Sequence, residues 1–201
     1  MTDNRYNEDY FKSANYSDYS ERRERYIMTA KNMIHTLEAL SFIDNDSRIL
    51  DYGCAVGFLM EGFKLRGYSN IFGYDISEWA VTQARSKGLT ILDKLEPTID
   101  FMVALDVFEH MTDEDISTVI ETVQPPSILV RIPCAEEGTD FHLAVSRRDQ
   151  THINCKNKEA WKEYFKSHGF DVALKLKLET IYDSRGVFCA ILLSSNNKEY
   201  I

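Results

Sequence analysis

Around residues 48–59 an apolar strand runs into a turn of small residues and straight out into a helix, and a chain built this way has few ways to fold. The strand Arg48-Ile49-Leu50-Asp51-Tyr52 leads into Gly53, Cys54, Ala55, Val56 and Gly57. A helical pattern through Phe58, Leu59 and Phe63 follows and ends near Gly67. The unit then repeats. Residues 70–74 read as a second strand, Ser77 as an N-cap, and Trp79, Ala80, Val81 and Ala84 as one face of a helix closing at Gly88. A short strand is expected over 89–92, and 99–105 is apolar apart from Asp100, as in a strand covered on both faces.

Thr112-Asp113-Glu114-Asp115 reads as a capping box with Asp in place of Glu or Gln. Ile116, Val119, Ile120 and Val123 mark a buried helical face that Pro125-Pro126 terminates. A strand over 127–132, an irregular stretch over 133–157 and a helix over 158–168 stopped by Gly169 come next. Two strands near 170–178 and 187–193, close enough to pair antiparallel, end the pattern. Strands alternating with helices predict an α/β fold with a largely parallel sheet and helices on both faces.

Upstream, Tyr26, Ile27, Ala30, Met33, Ile34, Leu37 and Leu40 mark a helix over 21–41 that the turn residues Asp44-Asn45-Asp46-Ser47 stop. Residues 1–20 carry Tyr6, Tyr10, Phe11, Tyr16 and Tyr19, too aromatic for a free tail, and are expected to form a packing arm or a lid on a domain spanning 21–201. At 201 residues the chain has the length of a single domain. Its 23 Lys and Arg against 32 Asp and Glu leave a formal charge of -9, which argues against nucleic acid as a partner. The basic cluster Arg22, Arg23 and Arg25 is interleaved with Glu21 and Glu24 and reads as a solvated helix face. Cys54, Cys134, Cys155 and Cys189 show no paired spacing and read as reduced thiols. Without a leader-like apolar segment near Met1 or any long apolar run, a cytoplasmic protein that does not enter a membrane is expected; the oligomeric state is not legible.

In open α/β sheets ligands bind beyond the carboxyl ends of the strands. There the turn 53–57 lets backbone approach a ligand, and the helix behind it offers N–H groups to an anion. Asp75, ending the second strand, suits the two hydroxyls of a ribose. Gly53, Ala55 and Gly57 fall at every second residue, whereas a dinucleotide turn follows G-x-G-x-x-G.

The stretch 49–59 instead resembles motif I of the class I S-adenosylmethionine-dependent methyltransferases, D/E-x-G-x-G-x-G, with Ala55 replacing the middle glycine. Gly73-Tyr74-Asp75-Ile76-Ser77 is similar to the second motif of that family. Ala104-Leu105-Asp106-Val107-Phe108-Glu109-His110-Met111 is similar to the fourth. The resemblance covers roughly residues 45–135 and implies a Rossmann-like three-layer sandwich whose seven-stranded sheet is ordered 3-2-1-4-5-7-6 with strand 7 antiparallel. It also implies S-adenosyl-L-methionine as cofactor. Asp51, Tyr52, Gly53, Cys54, Ala55 and Gly57 would lie about its methionine end, Asp75 and Ile76 at the ribose, Asp93 near the adenine, and Asp106 and Val107 at the reacting end.

The fourth motif lacks the N/D-P-P-Y run of enzymes that methylate bases and resembles small-molecule branches. Asp149-Gln150-Thr151-His152-Ile153-Asn154 is similar to a D-x-T-H-I segment of methyltransferases in surface-glycan and natural-product clusters. A small hydroxylated acceptor, such as a sugar or glycan precursor, is therefore expected. His152 is the candidate base, Asp149 would orient it, and His110 supports its loop or shares the role. A metal site of His142, Asp149 and His152 has no fixed spacing behind it, and no metal is assigned. The alternatives are a nicotinamide-dependent oxidoreductase and a non-catalytic nucleoside-binding protein of the same fold.

Overall fold

A computed structural model describes residues 4–13, 18–136 and 140–195. Its strands are β1 (Ile49–Tyr52), β2 (Ile71–Tyr74), β3 (Phe101–Leu105), β4 (Ser127–Pro133), β5 (Phe170–Lys175) and β6 (Val187–Ser194). Its helices are α1 (Glu8–Phe11), α2 (Arg23–Ala39), α3 (Phe58–Leu65), α4 (Glu78–Ser86), α5 (Asp113–Val123), α6 (Ala144–Arg148) and α7 (Lys158–Ser167). The strands follow the order β2-β1-β3-β4-β6-β5. Packing divides the chain into two units, one running to Leu95 and including Leu178–Thr180, the other Glu96–Lys177 with Ile181 onward.

In the first unit β1 pairs parallel to β2, with Ile49 beside Ile71 and Asp51 beside Gly73. All four residues of β1 are buried, which suits Ile49 and Leu50 and leaves Asp51 as a buried carboxylate at the strand end. Thr29, Ala30, Met33, Ile34 and Leu37 form the buried face of α2, and Gly62 of α3 meets it. A Cβ at Gly62 would lie 2.5 Å from that of Ala30. The Ser77 hydroxyl caps α4 by accepting from the Ala80 amide at 3.1 Å and donates to the Tyr6 carbonyl. That bond ties in the aromatic arm. Tyr6 and Phe11 are buried with Val56, Phe58 and Ala80, and the Phe11 ring stacks on Trp79 at 5.2 Å. Tyr16 and the Tyr19 side chain lie outside the described residues. Arg22 pairs with Asp18, and Arg23 reaches the part-buried Glu61 of α3, so the basic cluster is held by ion pairs as well as by solvent.

The strand expected over 89–92 is reduced to one bridge between Gly73 and Ile91, carried by Gly73 N to Thr90 O (2.9 Å) and Leu92 N to Gly73 O (2.8 Å). Beyond Leu92 the chain turns polar at Asp93-Lys94 and reaches Pro97, which has no N–H to extend a ladder. The sheet therefore has six strands where seven are expected. With the bridge counted as its edge, the expected order stands.

In the second unit β3 runs parallel to β4, and β6 lies antiparallel between β4 and β5, with an irregularity between Val172 and Leu174. Thr112 and Asp115 form the expected capping box, and α5 ends at Gln124 in the left-handed region (φ 48°) before Pro125. Trp161 and Phe165 are the buried face of α7. The stretch expected to be irregular contains α6, whose apolar residues are too few to show a period; Val145 is 52% exposed. No helix among the described residues is long and apolar enough to cross a membrane.

Candidate functional site

The turn after β1 is a run of left-handed residues, with φ of 75° at Gly53, 47° at Ala55 and 80° at Gly57. Glycine adopts this geometry freely, whereas Ala55 carries a Cβ penalty of about 1–2 kcal/mol. Gly57 is also required for space, because a Cβ there would sit 2.2 Å from Leu89 Cδ1. Three contacts hold the turn against the end of β2. Gly53 N donates to Tyr74 O at 2.8 Å, Cys54 N donates to the same oxygen at 3.2 Å, and Ala55 N donates to Asp75 Oδ2 at 2.8 Å. Asp75 Oδ1 accepts from Ser77 N at 2.8 Å. One carboxylate thus joins the turn of the first βα unit to the helix start of the second. Lys87 closes the far side, its Nζ donating to Val56 O at 2.8 Å and lying 4.2 Å from the Phe58 ring centre.

Asp51 is 4% exposed, and its Oδ2 is buried without a hydrogen-bond partner. Burial, followed by the charge of Asp75, pushes its carboxyl up to about 7. Burial also raises Asp75 above the usual carboxylate range, against the backbone N–H groups that favour its charge. The Cys54 thiol is driven well up by burial and by the two carboxylates, so it is an inert packing group. Tyr52 is buried and stacks on Tyr74 at 5.6 Å, while Ile76 is 37% exposed beside Asp75.

The second unit gathers a different set of groups. Residues 108–110 form a single 3-10 turn, and the Glu109 carbonyl accepts from Ile153 N (2.9 Å) and Asn154 N (3.0 Å). Asn154 Nδ2 adds bonds to Met111 O at 3.0 Å and Asp113 Oδ1 at 2.8 Å. The D-x-T-H-I segment is thereby fastened to the F-E-H turn. His110 and His152 meet edge to face at 4.5 Å, and Phe141 covers His152 at 5.1 Å. Glu109 is fully buried with neither carboxyl oxygen hydrogen-bonded, and its Oε1 lies 3.9 Å from Nε2 of each histidine. Burial and then Asp106 hold the Glu109 carboxyl well above its ordinary value. Burial and then His152 bring His110 down to about 4, and burial lowers His152. Burial opposes ionisation of Asp149, but the Thr151 hydroxyl and amide outweigh it and keep the group below its ordinary value.

A family model described as a methyltransferase domain matches residues 19–175. The chain belongs to this methyltransferase family. The fold is that of the class I S-adenosylmethionine-dependent methyltransferases. The magnesium protoporphyrin IX methyltransferase of Synechocystis PCC 6803, solved with S-adenosylmethionine bound, is 18% identical with a TM-score of 0.62, over 93% of this chain and 94% of that one. A Haloferax volcanii putative methyltransferase in complex with its Trm112 activator is 15% identical with a TM-score of 0.64, over 87% and 92%. The mitomycin 7-O-methyltransferase is 13% identical with a TM-score of 0.62, over 90% and 56%. No curated protein matches the sequence.

Within this methyltransferase the sequence-derived residues separate into groups. Asp51, Tyr52, Gly53, Cys54, Ala55, Gly57, Asp75 and Ile76 meet at the ends of β1 and β2. Asp93 stands apart from them, paired with Arg85 at 2.6 Å with its side chain 89% exposed. Asp106, at φ 54°, pairs with Arg131 of β4 in the second unit, and Val107 leads from it into the F-E-H turn. His110, Asp149 and His152 come together. His142 does not join them: it lies beside Glu136, 3.6 Å away, and under Gly186. Asp149 Oδ2 stands 3.8 Å from His152 Nε2, too far for the expected orienting hydrogen bond, so it acts on the ring as a nearby charge. Sequence reasoning missed two members, Glu109 and Arg131. Each left a signal, an ionisable residue set among apolar neighbours in Val107-Phe108-Glu109 and Leu129-Val130-Arg131-Ile132.

Proposed function

We propose that this methyltransferase binds S-adenosylmethionine at the ends of β1 and β2 and methylates a hydroxyl of a small acceptor. The observation that carries the cofactor is the unequal carboxylate pair. Asp75 is tied into the turn with lone pairs to spare for ribose hydroxyls, while the buried Asp51 Oδ2 lacks a partner and suits the methionyl ammonium. The backbone of Gly53, Cys54, Ala55 and Gly57 closes around that end, with Tyr52 and Ile76 beside it. The cofactor supplies an electrophilic methyl on a sulfonium sulfur. The acceptor oxygen forms the new C–O bond as the C–S bond breaks, and the cluster around His152 handles the proton the hydroxyl loses. The formal charge of -9 and the absence of a base-methylating motif favour a small acceptor, and a neighbour of the same fold is named for methylation at oxygen.

We assign the aromatic arm to the same end of the chain's chemistry, since Tyr6 and Phe11 pack on Val56 and Phe58, next to the cofactor turn. Removing residues 1–20 is expected to weaken cofactor binding, and hydrogen exchange over residues 4–13 should slow when S-adenosylhomocysteine is added. The function is tested by calorimetry with S-adenosylmethionine, S-adenosylhomocysteine and NAD, then by labelled-methyl transfer to a panel of sugars and other hydroxylated acceptors. Binding of NAD alone would make the protein an oxidoreductase. Cofactor binding with no transfer to any acceptor would make it a nucleoside-binding protein.

A further inference from the structure

We infer that Glu109, His110 and His152 hold a divalent transition-metal cation, of which Zn²⁺ is the type. The ligand atoms of the three side chains all lie within 4.8 Å of one another. Their spacing is informative. Hydrogen-bonded partners approach to about 2.7–3.2 Å, whereas Glu109 Oε1 stands 3.9 Å from each Nε2 and bonds to neither. Ligand atoms around a tetrahedral ion with bonds of about 2.1 Å lie about 3.4 Å apart. The three groups are thus too far apart to satisfy one another, and shifts of up to about an ångström would bring them to the spacing an ion requires.

The ring orientation points the same way. The Thr151 hydroxyl donates to Asp149 Oδ1 at 2.5 Å, so towards His110 it acts as an acceptor, and His110 Nδ1, 2.8 Å away, carries the proton. His110 Nε2 is then the unprotonated nitrogen, and it lies 3.9 Å from Glu109 Oε1. A histidine fixed in one tautomer by a carboxylate behind it is the usual support of a metal ligand, here relayed through Thr151. Glu109 supplies the second observation. It is fully buried, and neither oxygen has a hydrogen bond, so an ionised carboxylate there is uncompensated until a counter-charge completes it.

Two imidazoles and one carboxylate leave an ion open positions for an oxygen ligand. Its role, though not its presence, rests on the methyl-transfer reading. A hydroxyl coordinated there loses its proton to solvent at lower pH, and His152 serves the ion as a ligand.

The test uses the full chain, stripped with a chelator and titrated with Zn²⁺ by calorimetry and with Co²⁺ by visible absorption. We expect one ion per chain and a cobalt spectrum free of thiolate charge transfer. Affinity should fall by at least 100-fold in Glu109→Gln and His152→Ala. Thr151→Val should lose about 10- to 100-fold, since it keeps the ligands and removes only the relay. S-adenosylmethionine affinity measured on the same samples certifies that each variant is folded. Absence of stoichiometric binding, or binding unchanged in both ligand variants, overturns the ion site and leaves the methyltransferase reading standing. Ion binding without cofactor binding overturns the methyltransferase reading alone.

Discussion

Asp75 in the first unit and Glu109 in the second are carboxylates held in opposite ways. Asp75 accepts from two backbone amides belonging to two different βα turns, so its charge is part of the scaffold. Glu109 is more deeply buried and accepts from nothing; only its main chain is used structurally, by Ile153 and Asn154. A satisfied carboxylate fixes a shape, while an unsatisfied one waits for a cation or keeps its proton. The difference predicts that damage to the two places will be felt in different measurements.

The largest effect is expected at the second unit. His152→Ala should lower kcat by about 10²–10⁴ while leaving cofactor affinity near wild type, as loss of a group on which the acceptor's deprotonation depends requires, whether it acts as the base or as a ligand of the ion. A variant that kept most of its rate, with only a lower Tm, would reduce His152 to a structural residue. Asp75→Ala should do the reverse. It removes charge-assisted hydrogen bonds worth about 1.5–3 kcal/mol each, so S-adenosylmethionine affinity should drop tenfold or more, as read by calorimetry. Equal affinity in a folded variant would break the distinction drawn between the units.

A smaller effect concerns Asp51, whose carboxyl titrates near 7 in the free protein because of burial and Asp75. A cationic ligand beside it favours the ionised form, so binding below pH 7 must release a proton. Affinity should therefore rise with pH by up to about tenfold per unit below 7 and flatten above it. Calorimetry in two buffers of different ionisation heat measures the proton directly, and Asp51→Asn should abolish both the slope and the release. The smallest effect is at Ala55. Ala55→Gly removes the left-handed penalty at φ 47° against some loss of chain stiffness, for a net gain within about 1 kcal/mol. That corresponds to a Tm rise of about 2–4 °C at most in a chain of this size. A lower Tm would mean that the methyl group of Ala55 packs usefully against the arm.

The same contrast explains what was legible in the sequence. Helix faces and strand runs are local patterns, so α2, α3, α5 and the strands appear where the periodicity puts them. The turn after β1 was readable because its left-handed positions at 53, 55 and 57 are filled by glycine and alanine, and Asp75 because it ends a strand. The reduction of the strand at Ile91 to one bridge was not, since a single bridge at an edge leaves no pattern that differs from a longer ladder. The pairing of Asp93 with Arg85 was not legible either, since nothing in its position announced that partner. Glu109 escaped because a glutamate beside a histidine is commonplace in sequence. Its meaning appears only when the chain brings His152 back against it.

The way the chain makes that return bears on how such a protein diversifies. Ile153 and Asn154 are clamped to the Glu109 carbonyl by their amides, and an amide is supplied by every residue except proline. The exchange of the exposed side chains of α6, such as Val145 and the two arginines, leaves those two bonds untouched. Substitution can therefore accumulate in this segment generation after generation while His152 keeps its register, so that the wall of the site drifts and its chemistry is inherited intact.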